Sequence, residues 1–564
     1  MTKHWAVLGC LAVLMGCGKG GGGEATPAAG EIRPSSTAPA VPAVEVSILY
    51  GSEKKTWLAE QIDVFNASGA RTAQGAPIHV TGKAVGSGEA VTAILAGTEK
   101  PVVFSPASGA YTTLLDQTWM SVATHTRPLT RAGEPLVLSP IVIAMWKPMA
   151  EALGWPGKPI GWADILRVSA DPKGWGAFGR PEWGEMKLGH THPEYSNSGL
   201  LTMLAIAYAG AHTTRGLTAA DLPKVQPFVA KVEDAIVHYG KSTGFFADKM
   251  IERGPSYLSA AVMYENLVIE SYAKSPQLPL VAVYPVEGTF WSDHPYNVLD
   301  ADWVTAEQRA AADVFLAHLK SRPAQERALA LGFRPVDPAI KVGAPIDAAH
   351  GVDPLQPQTL LEVPDGKTLQ AVLDLFKKTK KTADIVVVFD KSGSMQGRPL
   401  EEAKRGAKAF LATLDARDQV TLLFFDHKVY PPYGPVEVGE GKAELESRID
   451  GVSAGGETAM YSATEAAYKL LAGRAKTSVH RIRAAVVLTD GTDNRSTITS
   501  AKLLAELRGS DEAKDRPATV FTISYGDAAN QPIMKEIASA GAGSFSEGNV
   551  DSIIQIYRDL ASFF

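Results

Sequence analysis

Asp384-Ile385-Val386-Val387-Val388-Phe389-Asp390-Lys391-Ser392-Gly393-Ser394-Met395 is the stretch that decides the fold of the second half of this chain. The apolar run 385–389 between two acids has the character of a strand buried on both faces. It stops at Asp390, and two serines follow within four residues, so carboxylate and hydroxyl oxygens gather where the strand ends. Helical spacing resumes from Leu400 to Leu414. The alternation then continues: strand Val420–Phe425, helix Ala459–Ala472, strand Ala484–Leu488, helix Ala501–Leu507, strand Thr519–Ser524, closing helix Ile553–Leu560. Strands alternating with helices predict a doubly wound, Rossmann-like sheet over residues 366–564, entered by an amphipathic helix at 366–380. Such sheets carry their sites outside the carboxyl ends of the strands, where Asp390 stands.

Asp390-Lys391-Ser392-Gly393-Ser394 resembles the DxSxS signature of the von Willebrand factor type A family. Gly455-Gly456-Glu457-Thr458 is similar to the family's loop that supplies a threonine, and Val487-Leu488-Thr489-Asp490-Gly491 to the strand end that supplies a second aspartate. The resemblance implies a site for one divalent cation (Mg²⁺, Mn²⁺ or Ca²⁺). Ser392, Ser394 and Thr458 would approach the ion, and Asp390 and Asp490 would bind it directly or through water. It also implies a protein partner that offers an acidic residue to the open position. The residue types suit this reading, because oxygen donors without Cys or His select a hard cation. Glu457 lies outside the motif and is expected to favour the start of the following helix. Asp493 and Asn494 are expected at the rim. Gly451-Val452-Ser453-Ala454-Gly455 matches G-x-S-x-G, but the charged, helix-like stretch Lys442–Ile449 precedes it where a nucleophile elbow needs a strand. No catalytic residue is assigned, and the expected function is binding.

The first half also reads as α/β, with a mainly parallel sheet expected. A strand, Val44–Tyr50, precedes a helical stretch from Thr56 to Phe65. Short apolar runs follow at Pro101–Phe104, Pro140–Trp146 and Leu278–Tyr284, with helices expected at Gly199–Gly210 and Tyr257–Tyr272. Gly/Ser loops punctuate these units: Tyr50-Gly51-Ser52, Gly86-Ser87-Gly88-Glu89, Phe104-Ser105-Pro106-Ala107-Ser108, Ser139-Pro140 and Pro193-Glu194-Tyr195-Ser196-Asn197-Ser198-Gly199. With Tyr284–Thr289 and Gly332–Pro335, they make residues 44–335 similar to the two-lobed periplasmic solute-binding proteins of the molybdate/phosphate type. Such loops present N–H groups and hydroxyls that suit a small polar or oxyanion ligand, and Ser52, Ser87, Ser105, Ser139 and Ser196 are the candidate ligand-binding residues. His190-Thr191-His192 with Glu194 is read as a loop rather than a metal site, and Trp155, Trp162 and Trp183 as packing residues.

Residues 336–365 hold five prolines and no sustained periodicity, which marks a linker. At the other end, residues 1–16 form a short polar start and an apolar run of leader length, ending Leu14-Met15-Gly16-Cys17. This resembles a bacterial lipobox and makes Cys17 the expected lipidation site. Cys10 would leave too short an apolar run. Residues 17–43 are a Gly/Pro/Ala tether. Both cysteines lie in this leader region, so no disulfide framework exists. A lipid on Cys17 would be the only membrane anchor and would place the protein on the extracytoplasmic side of a bacterial membrane, in the cell envelope. A formal charge of −6 and the lack of a basic stripe argue against nucleic acid. The densest basic cluster, Lys377–Lys381, is read as a solvated helix end. These features predict an envelope lipoprotein that binds a protein partner through its metal. The alternative is a solute receptor of an ABC transporter with the C-terminal domain as an accessory dock.

Overall fold

Strand Val44–Gly51 pairs in parallel with Ile78–Val85 on one side and Val103–Ser105 on the other, and its alternation buries Val46 and Ile48. Pro295–Val298 and Glu134–Pro135 extend this first sheet with antiparallel pairing. A second sheet centres on Val137–Trp146, a run buried along almost its whole length. A third sheet has the order Tyr433–Glu437, Gln419–Phe425, Thr382–Asp390, Arg481–Thr489, Thr519–Tyr525, Ala542–Gly548. All its pairings are parallel except that of Tyr433–Glu437. The computed structural model describes residues 42–274, 278–476, 481–509, 517–525, 530–548, 552–561 and 563. The expected leader, Cys17 and nearly all of the tether lie outside them. Among the described residues no helix is long and apolar enough to cross a membrane.

The expected parallel character holds for the third sheet and fails for the second. Val137–Trp146 pairs antiparallel with Trp291–Ser292, Ala260–Tyr264, Leu280–Val283 and Arg334–Pro335. The helix expected over Tyr257–Tyr272 is a strand, Ala260–Tyr264, followed by a helix, Glu265–Lys274. Ala260–Tyr264 is buried on both faces, and a short uniform apolar run has no period by which a strand differs from a buried helix. The pairing with Val137–Trp146 decides it.

Residues 336–365 are irregular but packed. Leu361 N donates to Thr289 O at 2.9 Å and Ala282 N to Gly351 O at 2.8 Å, and Ile346 and Val352 are buried. Asp365 then caps the helix Gly366–Thr379 by accepting from Thr368 N at 2.7 Å. This helix packs on Gly109–Met120 beside the first sheet and on Asn197–Ala211 and Leu222–Glu233 beside the second. Its end is solvated only in part: Lys377 and Lys378 are exposed, as the reading of Lys377–Lys381 expected, but Lys380 is not. Lys377 pairs with Glu194 at 2.8 Å, Lys380 is buried 3.8 Å from Asp418, and Lys381 Nζ donates to Asp234 O at 3.1 Å. The charges lie where two modules meet, which a local charge count does not reveal.

Phe376 fills the same junction, fully buried, with its ring centroid 4.8 Å from that of His192 and 5.2 Å from that of Tyr239. Phe376→Ala should therefore cost about 3–5 kcal/mol. Urea unfolding of the full chain checks this, and a loss below about 1 kcal/mol would show that the helix is not held there.

Candidate metal centre and solute cleft

The chain leaves Thr382–Asp390 for Gln419–Phe425 on one side and later for Arg481–Thr489 on the other. Loops diverge at this switch point and leave a crevice at the strand ends. Parallel register sets Phe389 opposite Leu488, so Asp390 comes level with Thr489 and Asp490 follows one residue later. Thr489 Oγ1 donates to Asp390 Oδ2, and Ser392 N donates to Asp390 Oδ1 at 2.7 Å. Ser394 Oγ donates to Asp490 Oδ1 at 2.6 Å and lies 3.1 Å from Ser392 Oγ. Thr458 reaches the same place: a Cβ added at Gly491 would stand 3.1 Å from Thr458 Oγ1 and 3.5 Å from Ser394 Oγ. Glycine keeps that space open for the hydroxyls.

The loops are tied together by main chain. Gly393 N donates to Gly456 O at 2.9 Å, Gly455 N to Lys391 O at 2.8 Å, and Thr458 N to Asn494 Oδ1 at 2.9 Å. All five residues singled out from the sequence are thus gathered. Burial pushes the Asp390 carboxyl up to about 6, and the nearby Asp490 charge adds to this. Asp490 is raised too, mainly by burial. Lys391 does not neutralise them, since its Nζ lies 2.5 Å from Asp426 Oδ2. Among the described residues no three His, Cys, Asp or Glu side chains gather around one point. A metal here would rest on two carboxylates completed by three hydroxyls, a donor set that fits a hard divalent cation.

Two rim residues differ from expectation. Glu457 does not serve the following helix, which begins at Met460. It is exposed and its Oε2 lies 3.2 Å from Arg495 Nε. Asp493 meets the helix start instead, accepting from Tyr461 N at 2.9 Å. The whole strand Arg481–Thr489 lies between that helix and Asp493 in the chain, so spacing alone does not link them.

The cleft serines lie where the first two sheets meet. Ser52 Oγ accepts from Gly244 N at 3.3 Å and Ser87 Oγ from Ala107 N at 3.1 Å. Ser139 Oγ donates to Asn266 Oδ1 at 3.2 Å, and Ser196 Oγ is 3.2 Å from Thr243 Oγ1. Of these five candidate serines, only Ser105 has a buried hydroxyl without a hydrogen-bond partner among the described residues. The sequence reading passed over Glu53, Lys54 and His294, which are buried together beside Ser105. A Glu-Lys pair directly after a strand end was the signal available. His190, expected in a loop, is in strand Leu188–Thr191 with Nε2 3.0 Å from Glu233 Oε1.

The Asp390 shift has a measurable consequence. Its carboxyl titrates at 3.8 in an unfolded chain and about 6 in the fold. Between these values the folded state holds the extra proton, so stability of chelator-treated protein falls as pH rises from about 4 to about 6. Asp390 alone contributes up to about 3 kcal/mol to that fall. Urea unfolding of wild type and Asp390→Asn across this range isolates the effect. Parallel pH profiles would overturn the assignment.

Residues 46–334 match the family of bacterial extracellular solute-binding proteins, and residues 384–559 match the von Willebrand factor type A domain. A curated relative, the uncharacterized protein sll0103 of Synechocystis sp. (strain ATCC 27184 / PCC 6803 / Kazusa), is 29% identical over 179 residues. The aligned part is 31% of this chain and 40% of that protein, so the chain spans well under two thirds of the relative's length. Among solved structures, the von Willebrand factor type A protein from Catenulispora acidiphila is 21% identical, with 33% of this chain and 43% of that one covered and a TM-score of 0.28. The periplasmic binding protein AfuA from Actinobacillus pleuropneumoniae, with fructose-6-phosphate bound, is 14% identical over 59% of this chain and 98% of that one, with a TM-score of 0.42. The sulfate-binding protein SubI from Mycobacterium tuberculosis is 20% identical, with 53% and 88% covered and a TM-score of 0.34. The match over residues 46–334 takes in more than half of the chain, which therefore belongs to the bacterial extracellular solute-binding proteins and carries a von Willebrand factor type A domain behind its solute-binding module.

Proposed function

We propose that this is a cell-envelope protein that binds a protein partner through one divalent cation held by Asp390, Ser392, Ser394, Thr458 and Asp490. One observation carries the reading: five oxygen-bearing side chains from three loops converge at one switch point, with the two carboxylates buried and the neighbouring Lys391 paired with Asp426 instead. Two negative charges offset those of the ion, and neutral hydroxyls fill further positions. The ion stays electrophilic towards a carboxylate from outside. The action is binding, not catalysis. The solute-binding family supports an extracytoplasmic location, and we assign membrane attachment to a lipid on Cys17. The match over residues 46–334 also favours a second reading, a receptor that hands solute to an ABC permease.

Isothermal calorimetry with Mg²⁺, Mn²⁺ and Ca²⁺ tests the metal. Asp390→Ala should lower affinity about 100-fold or more, since one of two charged ligands is lost, while Thr458→Ala should lower it less because water replaces a neutral ligand. Chelation should release a bound partner as Asp390→Ala does. Equal metal affinity in wild type and Asp390→Ala would sink the reading.

The anchor has its own test. Cys17→Ser should leave the protein unprocessed or soluble, because no thioether can form on serine. Partition of the processed variant into detergent together with wild type would overturn the assignment.

A further inference from the structure

The first sheet has a switch point of its own. From Val44–Gly51 the chain goes to Ile78–Val85 on one side and then to Val103–Ser105 on the other. The crevice between the carboxyl ends of Val44–Gly51 and Val103–Ser105 is where an open α/β sheet takes a ligand. Here that crevice holds the side chain of Lys54, which is fully buried. Its ammonium donates to Ser105 O at 3.1 Å and Pro106 O at 3.2 Å, the carbonyls at the end of the facing strand. It lies 2.9 Å from Glu53 Oε1 and 3.4 Å from His294 Nδ1. A carboxylate and two carbonyls converging on one point form a site for an ammonium group and repel an oxyanion.

The groups that would receive an oxyanion are engaged with the opposite lobe. Gly88 N and Glu89 N, at the start of helix Ser87–Leu95, donate to Tyr195 O at 3.0 and 3.2 Å. Gly244 N donates to Ser52 Oγ, and Lys241 pairs with Glu89 at 3.0 Å. The approach is so close that a Cβ on Gly88 would stand 2.0 Å from Glu194 O, and one on Gly86 2.3 Å from Tyr195 O. Glycine is required here by the contact between lobes.

We propose that the cleft is an ammonium site whose occupant is built in: Lys54 takes the place of a solute, and the lobes close on each other around it. The module is then a fixed platform for the domain behind it and does not carry free oxyanions. This does not depend on the metal site.

Three measurements on the full chain test it. Inorganic phosphate, sulfate and molybdate at about 1 mM should leave the wild-type Tm unchanged, whereas a rise would reveal an open oxyanion site and overturn the proposal. Gly88→Ala should lower Tm by about 5 °C or more and raise the radius of gyration in solution scattering, because the added methyl pushes the lobes apart. In an open cleft the same change, at the start of a helix, would leave Tm level or raise it, which would also overturn the proposal. Lys54→Ala should lower Tm, with recovery on adding ethylammonium or propylammonium and none with sodium or tetramethylammonium at equal ionic strength. A folded but unrescued Lys54→Ala would overturn the ammonium assignment. If that variant does not fold, the anion screen and Gly88→Ala still decide between a closed and an open cleft.

Discussion

Parallel pairing of Thr382–Asp390 with Arg481–Thr489 is the constraint on which the C-terminal site depends. The register puts Phe389 opposite Leu488, so two strands almost a hundred residues apart end at the same height. The first ends in an aspartate and the second is followed at once by one, and the ladder that holds both strand ends has fully buried interior residues. The hydroxyls of Ser392, Ser394 and Thr458 then have one place to go, because the loops bearing them are cross-tied by main-chain hydrogen bonds. Without a cation, burial raises the proton affinity of both carboxylates, and the Asp490 charge adds to the rise at Asp390. The electrostatic tension is the same property that makes the site suited to a divalent ion.

The two switch points resolve the same problem in opposite ways. At the first sheet the buried negative charge of Glu53 is matched on the spot by the buried ammonium of Lys54, with the His294 ring at hydrogen-bonding distance. Burial alone would raise the Glu53 carboxyl, but Lys54 and His294 outweigh it and hold the group down at about 2. At the third sheet no such partner is set against Asp390 among the described residues, and its carboxyl is pushed the other way. Paired buried charges close a crevice, and unpaired ones leave it chemically open. This contrast separates a self-satisfied cleft from a site with capacity for an external ligand.

Between the two sites runs the helix Gly366–Thr379. It touches elements beside both N-terminal sheets and ends on the first strand of the third. Phe376, Lys377 and Lys380 make its last turns a junction among His192, Glu194 and Asp418. The loop that holds Glu194 and Tyr195 therefore serves twice, as the lip that meets Gly88 across the cleft and as the footing of this helix.

Much of this was legible in the chain itself. The alternation of apolar strands and amphipathic helices after residue 366, and oxygen-bearing residues at two strand ends, specify a doubly wound sheet and its site, because both are local consequences of period and strand termination. The second sheet was less legible: Ala260–Tyr264 has no period of its own, and its identity as a strand comes from pairing with Val137–Trp146 more than a hundred residues earlier. Lys54 and Lys380 look in sequence like ordinary surface charges, and Glu457 looks like a helix-start acid. Only tertiary structure places Lys54 in a crevice with the carbonyls of Ser105 and Pro106, Lys380 in a buried position near Asp418, and Asp493 at the helix that Glu457 was expected to serve. The physical reason is range. Hydrophobic period and turn chemistry act over a few neighbouring residues, whereas the burial and pairing of a charge depend on which distant strands the closed fold brings beside it.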